Sequence, residues 1–449
     1  MRKNKWLLLL LLAVLIKSLI WLVMTPIFQV PDEPSHFSLI EFMAEFGRRP
    51  HPRREVVTPA EVSQVAKIVN FNWQITHPVW QGYSADWRNQ LLELPQASRQ
   101  QVVANEFQSS LKRPPGYYWL AMPVYWFGGS EFLTRFFSVR FINVVIHFLT
   151  VWLAFLISKK VFNSANLGFA VAALVGFQPM LSFFSVGVHY DPLAIFLTSL
   201  FVYLMAVKKQ FPALMISLTG VLVKPDLIIL PLVWLGKRFW LGIVGLLALF
   251  AFVARPFNAL IQGRVTAYDQ LIYLLNINEY SEASLLLWQK LSSGQLIADG
   301  ISYLEITGKM HLAQIFPWYW GTFGWLEAPL PAGVFTAIKV VILVSVLGWI
   351  KYIHHHRFPR KMIFWFGFCL LQAALVIAND FQFFTSRGEI YGIQGRYFFP
   401  AIIPQMLLLI FGLRQWIEDK VLAYSIFGLS FLLNLVGLIT VFRYFGWVW

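Results

Sequence analysis

The stretch Pro31-Asp32-Glu33-Pro34-Ser35-His36 places two adjacent carboxylates and an imidazole directly after an apolar run from Trp6 to Phe28. Charges this close to hydrocarbon are costly and tend to be present for a reason. A carboxylate there can take the proton of a hydroxyl, which is the first step of many transfer reactions. Capping is the competing explanation, with Asp32 as N-cap, Pro34 in the first turn and an interfacial helix running to Gly47. It accounts for one acid and leaves Glu33 and His36 over. Further groups of the same kind recur in Lys112-Arg113-Pro114-Pro115, His189-Tyr190-Asp191-Pro192, Lys224-Pro225-Asp226 and Gln394-Gly395-Arg396-Tyr397. Taken singly, each reads as a snorkelling or capping residue at the end of a span.

The elements that must position these groups are membrane helices. Hydrophobic residues make up 58% of the 449 and charged residues only 13%, which is too apolar for an ordinary soluble fold. The chain reads as an all-α polytopic membrane protein, one integral membrane domain over 1–449. A net charge of +14 would suggest nucleic acid in a soluble protein. Here the basic residues sit in short clusters between apolar runs and no nucleic-acid motif appears. The single cysteine, Cys369, lies inside an apolar segment, so internal disulfides and thiolate metal sites are excluded. Any metal needs carboxylate or imidazole ligands. Arg2, Lys3 and Lys5 before a leucine run resemble a secretory signal, but no small-residue cleavage site precedes Pro31, and an uncleaved first span is expected.

Hydropathy places about eleven spans, near 6–28, 139–158, 165–185, 192–207, 211–223, 226–236, 239–256, 333–350, 362–379, 398–413 and 421–443. With the N-terminus cytoplasmic, every short inner loop is basic: Lys159-Lys160, Lys208-Lys209, Lys237-Arg238, Lys351 with Arg357, Arg360 and Lys361, and Arg414 with Lys420. Of the 22 acidic residues only Glu418 and Asp419 then lie inside. Two long extracytoplasmic loops result, 29–138 with the acidic motif and 257–332. Both carry tryptophans and amphipathic stretches and are expected to form interfacial helices. Their aromatic runs, Tyr117-Tyr118-Trp119 and Phe316 to Glu327, suit either an interfacial belt or the lining of a ligand site. The same threading collects Asp32, Glu33, His36, Arg113, His189, Asp191, Lys224 and Arg396 at the outer membrane surface.

Acids, a base and cations at that surface suit a reaction on a lipid-linked phosphate: a carboxylate deprotonates a hydroxyl while Arg or Lys holds the leaving phosphate. Walker loops, Gly-x-Gly-x-x-Gly turns and Gly-x-Ser-x-Gly elbows are all absent, which favours a lipid-borne donor over a soluble nucleotide.

Pro31-Asp32-Glu33 with His36, Arg113-Pro114-Pro115 followed by Tyr117-Tyr118, Arg135 and Arg140, Asp191-Pro192, Gly321 to Pro331, and Gln394-Gly395-Arg396-Tyr397 together resemble the bacterial predicted membrane proteins of domain-of-unknown-function family 2142. That family in turn resembles the GT-C glycosyltransferases, among them protein mannosyltransferases and aminoarabinose transferases, which use polyprenyl-phosphate sugars and carry an acidic pair in the first outer loop. The resemblance implies a GT-C-like bundle in the bacterial cell membrane and an inverting hexosyl- or pentosyltransferase acting on a cell-envelope glycan, lipid or protein. It makes Asp32 the catalytic base with Glu33 as partner or alternative. Arg396, Lys224 and Arg113 become donor-phosphate ligands, and His36, His189 and Asp191 bind acceptor hydroxyls or, with Asp32, a divalent metal ion. His189-Tyr190-Asp191 offers one acid where some GT-C members carry a second acidic pair.

Two other functions are compatible with such a surface. A polysaccharide polymerase or ligase would use a lipid-diphosphate donor and has no need of the acidic pair. A transporter or flippase predicts charges in mid-span and inverted repeats, whereas only Lys17 and Lys339 fall inside spans and no repeat is visible. Single cysteines introduced beside Asp32 and beside Arg396, with Cys369 replaced by Ser, are expected to react with a membrane-impermeant thiol reagent from the same side. Labelling from opposite sides would break up the site.

Overall fold

The computed structural model describes residues 5–50, 57–72, 78–104, 110, 113–235, 289–290, 293–388, 390 and 392–446. The span expected at 239–256, the basic pair Lys237-Arg238, Lys112 and the first part of the second loop lie outside them. α1 (Lys5–Met24) turns into α2 (Glu33–Phe46), and β1 (Val57–Pro59), α3 (Ala60–Ile68), α4 (Trp87–Leu92), β2 (Val102–Ala104) and α5 (Gly116–Phe127) precede α6 (Phe132–Phe162). Next come α7 (Ala165–Phe177), α8 (Pro179–Phe184), α9 (Asp191–Ala206), α10 (Gln210–Val221) and α11 (Ile229–Leu235). The C-terminal part contains α12 (Gln295–Trp320), β3 (Thr322–Phe323), β4 (Ala328–Pro329), α13 (Ala332–His355), α14 (Arg360–Arg387), a 3-10 turn at Gly395–Ala401, α15 (Ile402–Leu413) and α16 (Asp419–Phe445).

Among the described residues six helices are long and apolar enough to cross a bilayer: α1, α6, α13, α14, the 3-10 turn with α15, and α16. Shorter apolar helices fall at α7, α9, α10 and Pro225–Leu235. The expected continuous span 165–185 is broken. Pro179 has no N–H to donate and drives the preceding Gln178 to extended backbone, so α7 stops and α8 restarts, its first turn capped by the Gln178 side chain on Leu181 N–H. The all-α expectation also needs amending by two short antiparallel ladders, β1 with β2 (Val57 opposite Ala104) and β3 with β4 (Thr322 opposite Pro329).

α6, with 31 residues, runs about 46 Å and outreaches the hydrocarbon, so Arg135 and Arg140 near its start sit at the membrane edge rather than within it. Polar side chains stitch the bundle below. Lys17 Nζ donates to Ser182 Oγ at 2.8 Å and lies 3.4 Å from His147 Nε2. Asn434 on α16 accepts from Trp21 Nε1 at 2.9 Å and donates to Ser182 and to Phe177 O, a carbonyl beside the α7–α8 break. Lys17 is thus buried among neutral partners joining α1, α6, α8 and α16, while Lys339 lies 5.3 Å from the Phe316 ring.

The join that matters for the site lies at the exit of α1. Glu33, with no exposed surface, accepts from Arg140 Nε (2.8 Å) and NH2 (2.7 Å), from Phe28 N–H (3.0 Å) and from Val188 N–H (2.8 Å). Arg140 uses its remaining donors on the Thr25 and Pro26 carbonyls. Three segments, the α1–α2 connection, α6 and the loop at Val188, meet on one carboxylate. Removing one partner leaves the other charge buried and unmatched, so Arg140→Met should lower stability by about 3–5 kcal/mol in denaturation of the solubilised protein. A loss under about 1 kcal/mol, the range of exposed pairs, would show that the pair does not anchor α2.

Candidate active site

Asp32 opens α2 in the left-handed region, at φ 65°, which Asp tolerates better than most residues. Its side chain makes no capping bond, so the capping explanation fails. The carboxylate turns away from the helix, is about a quarter exposed, accepts from Arg396 NH2 at 2.7 Å and faces His189 Nε2 at 3.9 Å.

Each partner is delivered by a different element. His189 sits in the 185–190 loop, which Glu33 holds through Val188 N–H and Asn143 of α6 holds through the Gly187 (2.6 Å) and His189 (3.1 Å) carbonyls. A Cβ on Gly187 would lie 2.6 Å from Val30, so only glycine lets this loop reach the α1 exit. His36, one turn into α2, crosses His189 edge to face at 4.4 Å and places Nδ1 2.8 Å from the Tyr118 hydroxyl. Asp191 begins α9 and receives Lys224 Nζ at 3.0 Å, while Asp226 lies 3.8 Å from the same amine. Lys224 also lies 5.6 Å from the Tyr190 ring and 5.5 Å from that of Tyr397, and Arg113 lies 5.7 Å from Tyr190.

Arg396 comes from the 3-10 turn between Phe184 (4.9 Å) and Tyr397 (5.5 Å). One of its nitrogens meets Asp32, whereas Nε and NH1 are buried with no hydrogen-bond partner among the described residues. Gly395 serves packing: a Cβ would collide with the Tyr319 backbone nitrogen and the Trp318 carbonyl carbon.

Asp32, His36, Arg113, His189, Asp191, Lys224 and Arg396 therefore come together, as their placement at outer span ends requires. Glu33 does not join them, because its carboxylate is spent on Arg140 and two backbone amides.

Burial pushes the Asp32 carboxyl up, but Arg396 and His189 outweigh it and leave it well below the usual carboxylate range. In this state of the site Asp32 is therefore charged and a weak base. Burial lowers both His36 and His189, the former helped by His189 and Arg113, so both rings are neutral near pH 7.

Ligand atoms of Asp32, His36 and His189 lie within 4.8 Å of one another, close enough to share one ion. His36 can offer Nε2, because Tyr118 engages Nδ1. In His189, Nδ1 accepts Asp191 N–H at 3.0 Å, which puts the neutral ring's proton on Nε2. Yet Asp191 Oδ2 is buried without a hydrogen-bond partner, 3.4 Å from that Nδ1, and could take its proton if Nε2 turned ligand. Carboxylate and imidazole donors with a carboxylate behind one ring fit a divalent ion such as Zn²⁺ or Mn²⁺.

Sequence reasoning left two roles undrawn. Arg140 is named there without a partner, although an arginine at the very start of an apolar span calls for a carboxylate. Tyr117 and Tyr118, open between an interfacial belt and a ligand-site lining, are fully buried, Tyr117 against Asn143 and Tyr118 against His36.

Residues 15–404 match the sequence profile of the DUF2142 family, described as predicted membrane proteins. The chain belongs to this family. No curated protein matches it. Two solved structures are similar to this DUF2142 protein. One is the archaeal oligosaccharyltransferase AglB from Archaeoglobus fulgidus in complex with an inhibitory peptide and a dolichol-phosphate, at 11% identity over 97% of this chain and 56% of that one, TM-score 0.44. The other is the Archaeoglobus fulgidus oligosaccharyltransferase in complex with Zn and sulfate, at 12% identity over 96% and 53%, TM-score 0.43. This DUF2142 chain thus spans about half the length of the structures it matches.

Purified protein titrated with Mn²⁺ or Zn²⁺ in a calorimeter is expected to bind one equivalent through Asp32, His36 and His189, and His189→Ala should lose at least about tenfold in affinity. Equal affinity in the variant would take His189 out of the ligand set.

Proposed function

We propose that this protein is an inverting glycosyltransferase that moves a sugar from a polyprenyl-phosphate carrier to a cell-envelope glycan, lipid or protein on the extracytoplasmic face of the cell membrane. The observation that carries the reading is Arg396. A buried guanidinium with one nitrogen on a carboxylate and two others without acceptors is a site waiting for an anion. Its place beside residues gathered from the ends of apolar helices makes that anion one borne by a lipid. The resemblance to GT-C enzymes supplies the sugar. The topology goes with it: about eleven spans, shorter apolar helices pairing as hairpins, basic loops inside and both long loops outside.

In this reaction the acceptor hydroxyl attacks the anomeric carbon, the bond from that carbon to the phosphate oxygen breaks, and the phosphate leaves with the bonding electrons. Arg396 holds the leaving phosphate through Nε and NH1. Sharing its charge with that phosphate weakens its hold on Asp32, and the carboxylate's proton affinity rises toward that of a useful base. Asp32 then takes the hydroxyl proton. A divalent ion held by Asp32, His36 and His189 would supply positive charge for the phosphate. Lys224 is matched by Asp191 and Asp226 and holds the α9 start in place. The two nitrogens left open on Arg396 suit a single phosphate, and Arg113 lies near the Tyr190 ring. Glu33 organises the site rather than reacting.

Surface glycans compared by mass spectrometry with and without the protein should differ by one sugar, which names donor and product. Asp32→Asn should reduce transfer about 10²–10⁴-fold at equal protein amounts, because Asn accepts the left-handed backbone but cannot take the hydroxyl proton. Near-normal transfer in that variant would end the base assignment.

A further inference from the structure

α2 carries Asp32 and His36 at one end and, about one and a half turns beyond His36, an acid the site does not use. Glu41 is fully buried, and neither of its carboxyl oxygens has a hydrogen-bond donor among the described residues. Opposite, on α3, Glu61 is also buried and within hydrogen-bonding reach. The charged and titratable groups facing Glu41 come from three other places. Arg135 of α6 donates NH2 to Glu61 Oε2 and NH1 to the Ser130 carbonyl, and its guanidinium lies 5.2 Å from the Tyr125 ring on α5. Glu45, one turn on along α2, is occupied by the Tyr125 hydroxyl at 2.9 Å and by Arg99 at 3.4 Å.

Arg135 carries one charge for two buried carboxylates and is bonded to Glu61, its unpartnered Nε makes no bond to either Glu41 oxygen, and Glu45 has its own donors, so a charged Glu41 has no cation of its own. An ionised carboxylate there would face a second buried carboxylate in a pocket closed to solvent, at a cost on the order of several kcal/mol. A carboxyl group would instead donate its O–H to Glu61, leaving one negative charge opposite the one positive charge of Arg135. We propose that Glu41 is held protonated, shares that proton with Glu61, and through this carboxyl–carboxylate hydrogen bond docks α2, and with it Asp32 and His36, against α3. Burial and the Glu61 charge both push its titration well above the ordinary carboxyl range, consistent with the geometry. Glu41 is a positioning residue: it touches no reacting atom and acts through the helix that carries the site.

A group whose titration is raised in the folded state contributes stability that is complete below the unfolded carboxyl range and is lost as pH rises through the folded value. The docking of α2 is therefore sensitive to alkali from the side of the membrane on which α2 lies.

Infrared spectroscopy of the purified protein tests the proton directly, and pH-dependent unfolding tests its consequence; neither needs transfer activity, so both are independent of the glycosyltransferase reading. At pH 7 the wild type should show the C=O stretch of a buried protonated carboxyl that persists in D₂O and is missing from Glu41→Gln. Above the folded titration point the wild type should lose about tenfold in folding equilibrium constant per pH unit, whereas Glu41→Gln, which keeps an N–H donor toward Glu61, should show no such alkaline loss. A wild-type spectrum with carboxylate bands only, or an alkaline loss unchanged in Glu41→Gln, would overturn the proposal. Should the variant fail to fold, the wild-type band at pH 7 and its disappearance on alkaline titration still decide: a protonated carboxyl supports the shared proton, and its absence refutes it.

Discussion

Everything at the membrane edge hangs on the carboxylate of Glu33. It leaves water entirely and recovers that cost through two hydrogen bonds from Arg140 and one each from the Phe28 and Val188 amides. A buried ion pair gains little over an apolar contact of the same shape, but it tolerates few alternatives, because any other arrangement strands a charge in low dielectric. That intolerance makes it a locator. It sets where α1 ends, where α2 begins and how far the 185–190 loop reaches inward. Asp32, the residue before Glu33, is forced into a left-handed conformation and its side chain is aimed at Arg396 and His189 instead of the helix end.

The site built on this frame is electrostatically tense. Arg396 holds Asp32 in its charged form while two of its own nitrogens, Nε and NH1, go without acceptors among the described residues. A buried donor without a partner costs about 1–3 kcal/mol and more when charged, so such a group is kept for a ligand or not at all. Lys224, by contrast, is satisfied by two acids and fixes the start of α9. One guanidinium set against a carboxylate and two neutral imidazoles is an arrangement in which an incoming phosphate and an outgoing proton affect each other. In the proposed reaction, phosphate on Arg396 would weaken the hold on Asp32 and make the freed carboxylate the better base.

Much of this was legible in the residues. Apolar length located α1, α6, α13, α14 and α16 because a helix that must satisfy its backbone in hydrocarbon leaves a long uninterrupted pattern. Sorting basic from acidic loops put Asp32, His36, Arg113, His189, Asp191, Lys224 and Arg396 on one side before any contact was known, and the structure gathers all of them. What pattern could not show was pairing. Two adjacent acids look alike in sequence, yet Glu33 is buried by Arg140, which lies 107 residues away, and only Asp32 is left for chemistry. The break at Gln178-Pro179 was visible as a proline but looked tolerable within a span. The tyrosines at 117 and 118 could not be assigned between a belt and a site lining, because amphipathic rings serve interfaces and interiors equally well.

The affinity of the purified protein for a short-chain polyprenyl phosphate, compared between wild type and Arg396→Ala, addresses the anion site most directly. Losing charge-assisted hydrogen bonds from a buried guanidinium should weaken binding by about 10- to 150-fold, with the variant still folded. Unchanged affinity in a folded Arg396→Ala protein would contradict the assignment of Arg396 as the group that holds the donor phosphate.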